Sequence, residues 1–210
     1  MKASASPAVA VIGDLVGSRD QDSRRRVQES LLAALTEVNR RVEGLQPLEP
    51  TIGDEVQGVY GSLHDALLAT VVLRLALPEG MDARCGVGLG EIEIVGSSAY
   101  GLTQDGPAWW SARDAVVAVK DRERRQPGLR TWVQRHDEEG PDPVNAYTLC
   151  RDELVSALDG RGRRLALGLL DGTTHARLAA AEGVSPSAVS QRVRRDGLAA
   201  LVESIALVRS

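Results

Sequence analysis

VIGDLVGSR, residues 11–19, and TIGDEVQG, residues 51–58, decide how this chain is read. Each carries a Gly-Asp pair at the end of a short apolar run. Such runs, bounded by turn residues, read as strands. Asp14 and Asp54 are therefore expected side by side, at the ends of neighbouring strands. Two carboxylates placed that way suit a divalent cation and a phosphate-bearing ligand.

Working outward, AVAVIG (8–13) reads as a buried central strand. Asp22 and Ser23 are candidate caps for a helix whose apolar residues Val27, Leu31, Leu35, Val38 and Val42 recur at helical spacing. Gly44 ends it. A strand at 48–52, a Gly53-Asp54-Glu55 turn and a strand at 56–60 form a hairpin with Asp54 at its tip. Ser62 caps a second helix carrying Leu63, Leu67, Val71 and Leu75, which Pro78 to Gly80 stops. Residues 83–90 read as a strand that Glu91 to Val95 extends or returns, and 96–106 as a loop. A third helix is expected over 108–119, a polar stretch with helix around 129–134 after it, and a short strand at 145–150. The order β-α-β-β-α-β predicts an α+β fold: a ferredoxin-like, palm-like antiparallel sheet with helices on one face.

From Glu153 the pattern is helical to the end, so the expected boundaries are an α+β domain over 1–150 and an all-α helix-turn-helix domain over 151–210. Thr173 or Thr174 opens one helix and Gly183 turns the chain. Ser185-Pro186, a cap followed by proline at the first helical position, opens the next. Val184, Val189 and Val193 fall on an inward face. Ser187, Ala188, Gln191, Arg192 and Arg195 remain outside, where glutamine reads adenine and arginine reads guanine or phosphate. Thr174 and Arg177 are placed to touch the DNA backbone from the first helix.

Composition sets the background. The chain has 210 residues, 43% of them apolar, with no Phe and three Trp, so Ala, Leu and Val must fill the core. Formal net charge is −4, from 25 basic and 29 acidic residues, which argues against a protein that coats nucleic acid by charge alone. The charge is uneven: residues 151–210 hold nine Arg and seven acids, and the rest is acidic overall. Two cysteines, Cys85 and Cys150, make no disulfide framework and read as buried thiols. No run approaches a membrane span and the N-terminus lacks the pattern of a signal peptide, so the expectation is a cytoplasmic protein with no membrane partner. His64, His136 and His175 are dispersed, without metal-ligand spacing.

The chemistry gathers around the two aspartates. Asp14 and Asp54 are the candidate metal ligands and catalytic carboxylates, with Mg²⁺ as the metal. Gly17, Ser18 and Arg19 follow Asp14 in a loop whose amides can cradle phosphate. Arg113, within GPAWWSAR, is the candidate cation facing phosphate. Glu55 is a further carboxylate that strand alternation can turn away. Trp109 and Trp110 are adjacent, so only one can face the core.

VIGDLVGSR resembles the first metal-binding strand of class III nucleotidyl cyclases, and TIGDEVQGVY their second metal segment and, more loosely, the GGDEF signature of diguanylate cyclases. RCGVGLGEIE (84–93) resembles the cyclase strand ending in Gly-Glu. GPAWWSAR resembles the helix whose arginine contacts the reacting phosphate. The resemblance implies metal ligation by Asp14 and Asp54 and a transition-state role for Arg113. It departs at Trp109, where the cyclase helix has asparagine, and before Gly53-Asp54, where the base-reading lysine has no counterpart. Over residues 8–200 the chain also resembles the SatD family, which combines GDLVGSR and GDEVQG segments with a C-terminal helix-turn-helix; that segment in turn resembles region 4 of sigma factors.

Three functions are weighed on these residues. The leading expectation is a DNA-binding transcriptional regulator, acting on double-stranded DNA as a homodimer, whose N-terminal domain binds a nucleotide with Mg²⁺. The alternative is a Mg²⁺-dependent nucleotidyl cyclase or nucleotidyltransferase-type enzyme. The third is a non-catalytic structural or partner-binding protein that kept the fold.

Overall fold

The structure is a computed structural model that describes residues 6–16, 24–51, 53–98, 101–136 and 143–208. The first apolar run becomes β1 (Ser6–Val16), followed by α1 (Arg24–Arg41), β2 (Gln46–Pro50), β3 (Glu55–Tyr60), α2 (Leu63–Ala76) and β4 (Asp82–Ser98). All three pairings, β2 with β3, β3 with β1 and β1 with β4, are antiparallel, in the spatial order β2-β3-β1-β4. This is the split βαβ arrangement that the order of elements predicts.

Side-chain alternation along β1 divides the molecule into two layers. Val9, Val11 and Leu15 point to one face, where they pack with Val27, Leu31, Leu35 and Val38 of α1 and Leu67 and Leu73 of α2. Ala10 and Ile12 point to the other, against Ala108, Ala112 and Val116 of α3 (Pro107–Arg122). Helices on one face only is thus corrected: α3 covers the opposite face. Gly86 and Gly88 of β4 make that docking close. A Cβ at Gly86 would run into the carbonyl of Ala112, and one at Gly88 into the carbonyl of Ala108.

Three further elements differ from the sequence reading. The expected loop at 96–106 is the end of the 17-residue β4 and its antiparallel partner β5 (Gly101–Asp105). The stretch expected to be helical near 129–134 is β6 (Thr131–Arg135), which pairs in parallel with β4 and makes the sheet mixed. Its alternate residues Thr131 and Val133 are buried. The expected strand at 145–150 is part of α4 (Pro143–Ser156). From this helix the Asn145 side chain pairs with both the N–H and the carbonyl of Val133, doing for the β6 edge what a strand backbone does. Cys150, expected to be buried, is exposed on this helix, whereas Cys85 is fully buried and burial pushes its thiol up to about 12.

Four helices complete the chain: α5 (Gly160–Leu170), α6 (His175–Glu182), α7 (Pro186–Arg195) and α8 (Leu198–Leu207). Their apolar residues, among them Leu165, Leu178, Val189, Val193 and Leu201, share one cluster with Val71 and Leu75 of α2. No helix among the described residues is long and apolar enough to cross a membrane.

Candidate functional site

Asp14 lies near the C-terminal end of β1, paired across the sheet with Glu55 on one side and Arg84 on the other. The turn before β3 holds Gly53 at φ +79°, a conformation that favours glycine. It delivers the Asp54 carbonyl to the Leu15 N–H at 3.3 Å. The two aspartates foreseen from the sequence are therefore brought to one end of the sheet, Asp54 exposed and Asp14 half-buried. Directly opposed residues of an antiparallel pair share a face, so Glu55 lies on the Asp14 face rather than turned away. Its carboxylate accepts from Gln57 Nε2 at 2.7 Å.

Cations meet Asp14 from β4 and α3. Lys120 Nζ lies 2.5 Å from Oδ2, and an Arg84 guanidinium nitrogen 3.7 Å from Oδ1. Arg84 is held elsewhere by a two-point contact with Glu123, at 2.8 and 3.1 Å, which with help from Asp14 raises its pKa further. The sequence places Lys120 on the third helix without a role, because only the register of α3 on β1 makes it a partner of Asp14. Arg113 lies on the same helix seven residues earlier, hence on the same side of it and about 10 Å along the axis. It is exposed and makes no ion pair among the described residues. Gly17, Ser18 and Arg19, like the proposed caps Asp22 and Ser23, lie outside the described residues.

The donor set fits Mg²⁺ on one specific count. Asp14 Oδ1 is buried and receives no hydrogen bond, the Arg84 guanidinium standing 3.7 Å away, and a buried carboxylate oxygen without a close donor is a position that a bound cation can complete. Among the described residues, no group of three or more His, Cys, Asp or Glu side chains forms a metal cage. Mg²⁺ does not require one: it commonly takes one or two carboxylates and fills the remaining positions with water and phosphate oxygen.

Behind this end of the sheet runs a chain of ion pairs that sequence reasoning missed. Arg84 meets Glu123, Glu123 meets Arg130 at 3.5 Å, Arg130 meets Asp82 at 3.2 Å, Asp82 meets Arg74 at 2.8 Å and Arg74 meets Asp152 at 3.1 Å. Arg74, Arg151 and Asp152 are fully buried. Burial would raise the Asp82 carboxyl, but the bond from Arg74 and the Ala83 N–H hold it below the usual carboxylate range. Arg163 of α5 then donates to the carbonyls of Arg74, Leu77 and Met81, capping the end of α2. No hydrophobic periodicity marks these residues, and nothing local in the sequence sets them apart.

In the C-terminal helices, Thr174 accepts from the Arg177 N–H and Ser185 from the Ala188 N–H as helix caps, and Gly183 is left-handed at φ +66°. Val189 and Val193 are buried; Arg177, Ser187, Gln191 and Arg195 are exposed. Arg192 is only partly exposed and is engaged by Asp159 and Asp196. A cleft of about 350 Å³ beside α7 is lined by Arg161, Leu165, Val184, Gln191, Arg192 and Arg195 among others.

The sheet order, with helices on both faces, defines an α+β protein of split βαβ topology. The chain belongs to the SatD family, whose model matches residues 8–204. Similar solved structures include the guanylyl cyclase Cya2, at 14% identity and a TM-score of 0.45, over 56% of this chain and 73% of that one. A bacterial light-regulated adenylyl cyclase aligns at 12% identity and 0.47 over 63% of this chain, which spans only 44% of its length. The monomeric guanylyl cyclase domain of the RhoGC fusion protein from the aquatic fungus Blastocladiella emersonii aligns at 16% identity and 0.41, over 56% and 78%. No curated protein matches the chain.

Proposed function

We propose that this chain binds a nucleotide with Mg²⁺ at the Asp14–Asp54 end of the sheet, as a site of the nucleotidyl-transfer type. The observation that carries the reading is the buried Asp14 Oδ1, which takes no hydrogen bond and only a 3.7 Å approach from Arg84, beside the turn that presents Asp54. Asp14 and Asp54 would hold the metal, which supplies charge neutralisation and orientation of phosphate oxygens. Arg113 and Lys120, on one side of α3, face the phosphate chain and stabilise its charge. Gly17, Ser18 and Arg19 supply amides and a further cation for phosphate. Arg84, fixed by Glu123, adds positive charge 3.7 Å from Asp14. The test is a turnover assay with ATP and GTP, with and without Mg²⁺. Mg²⁺-dependent product lost in Asp14→Ala, with folding intact, supports the reading. Equal turnover in the variant overturns it.

A second reading, double-stranded DNA recognition by α6 and α7 as a helix-turn-helix domain, is favoured by the exposed polar side of α7. Ser187, Gln191 and Arg195 stand out from a helix whose cap, turn and buried Val189 and Val193 fix its direction. In this reading Arg192 sets the helix against α5 through Asp159, Thr174 and Arg177 approach the DNA backbone, and a homodimer would present two such helices to paired half-sites. Selection from genomic DNA fragments tests it. Retention that weakens with salt and drops about tenfold in Gln191→Ala supports it; no retention at low salt contradicts it.

A further inference from the structure

We infer that Lys120 is a displaceable counter-cation of the metal site: its ammonium neutralises Asp14 until a divalent cation arrives, then turns to the phosphate of the incoming nucleotide. This rests on the nucleotide–Mg²⁺ reading above and adds how the site is regulated. Lys120 Nζ is 2.5 Å from Asp14 Oδ2, while the side chain remains 48% exposed. An ion pair that open to solvent is cheap to break, and the four-carbon stem lets the ammonium swing without moving α3. Arg84, the other cation at Asp14, is locked by Glu123 in a planar two-point contact and has no such freedom. The two cations therefore divide the work: Arg84 is fixed and Lys120 is mobile.

Composition points the same way. Of the chain's 25 basic residues, 23 are arginine, and the only lysines are Lys2 and Lys120. Each buried or two-point ion pair described above uses arginine, as its rigid fork suits. A lysine stands where a compact cation must compete with a metal for one carboxylate oxygen. Lys120 also sits in the last turn of α3, where the helix dipole favours a positive charge and holds the ammonium near Asp14 in the metal-free state. With Asp14 engaged by a metal, Lys120 would be free to meet the phosphate of a bound nucleotide.

The test uses the full chain and Mn²⁺ as a paramagnetic probe, first without nucleotide and then with a non-hydrolysable ATP or GTP analogue. Lys120→Met is expected to bind Mn²⁺ alone about three- to tenfold more tightly than the natural chain, because the competing cation is gone. The same variant is expected to bind the metal–nucleotide complex about tenfold more weakly. With only two lysines, side-chain carbon NMR of ε-labelled lysine resolves Lys120, and its signal should shift on adding Mg²⁺ and again on adding nucleotide. Lys120→Arg should keep the nucleotide affinity in part but lose the mobile response. Mn²⁺ affinity lost in Asp14→Asn yet unchanged or weakened in Lys120→Met overturns the role of Lys120 alone. No Mn²⁺ binding by the natural chain at millimolar concentration overturns the site reading and this inference with it.

Discussion

At the scale of single residues, the molecule's electrostatics are decided by which carboxylates are paired inside it. Asp82 is held at two points by Arg74, at 2.8 and 2.9 Å, in a site that also contains Arg130. Removing one member of such a pair breaks a buried contact, and because Asp152 still faces Arg74 at 3.1 Å the cost falls at the low end for broken buried pairs, about 3 kcal/mol. Asp82→Asn is therefore expected to lower the unfolding free energy by about that much at pH 7, measured by urea titration. The sign of the pH effect follows from the depressed Asp82 pKa. Its stabilisation is present above the unfolded value of about 3.9 and is lost as pH falls through the lower folded value. The deficit of Asp82→Asn should therefore shrink on acidification below about pH 4; a constant deficit would contradict this account. The placement of Asp14 and Asp54 at neighbouring strand ends was legible at this scale because a Gly-Asp pair after an apolar run is a local signal. Lys120, Arg74, Arg151 and Arg163 were not, because a lone charge in sequence gives no sign that its partner lies across the fold.

Elements show why local patterns succeeded in some places and failed in others. β1, α1, α2 and β3 are marked by apolar runs or helical spacing, and the cap of α2 at Ser62, like the caps Thr174 and Ser185 and the turn at Gly183 further on, falls where the sequence put it. β6 and α4 were exchanged in type because each carries buried polar groups at positions that apolar residues normally mark. Thr131, Asn145, Arg151 and Asp152 are all buried. The glycines of β4 read only as small residues of a strand; their purpose appears once α3 lies on them. Gly88→Val tests that docking. Its side chain would meet the carbonyl of Ala108 and the backbone of Ala112, so α3 must shift. Overpacking of this kind costs about 1–3 kcal/mol, and it should alter the near-ultraviolet signal of Trp109, which packs in the same layer. Gly61→Ala, where an added Cβ meets nothing, is the control expected to change neither. Equal effects from both variants would show that α3 does not depend on the glycine track.

Taken whole, the molecule joins its α+β layers to its C-terminal helices through α2. Val71 and Leu75 share a core with α5 to α8, and Arg163 closes the end of α2 by donating to three carbonyls. Arg163→Met leaves those carbonyls without their donor and is expected to cost about 1–3 kcal/mol. Hydrogen exchange should then report lost protection in α5 and the last turn of α2 before any loss in β1; uniform loss across the chain would contradict that order. The ion-pair chain from Asp14 through Arg84, Glu123, Arg130, Asp82 and Arg74 ends at this same junction. The sequence showed an α+β part and a helical part but not this seam, since nothing local to either records a contact between them. The central claim, a two-aspartate nucleotide site, is tested most directly by calorimetric titration of the purified chain with ATP and GTP, with and without Mg²⁺, repeated with Asp54→Ala. The account predicts Mg²⁺-dependent binding that is lost in the variant. Binding that ignores Mg²⁺ or survives the substitution, or no binding of either nucleotide, would contradict it.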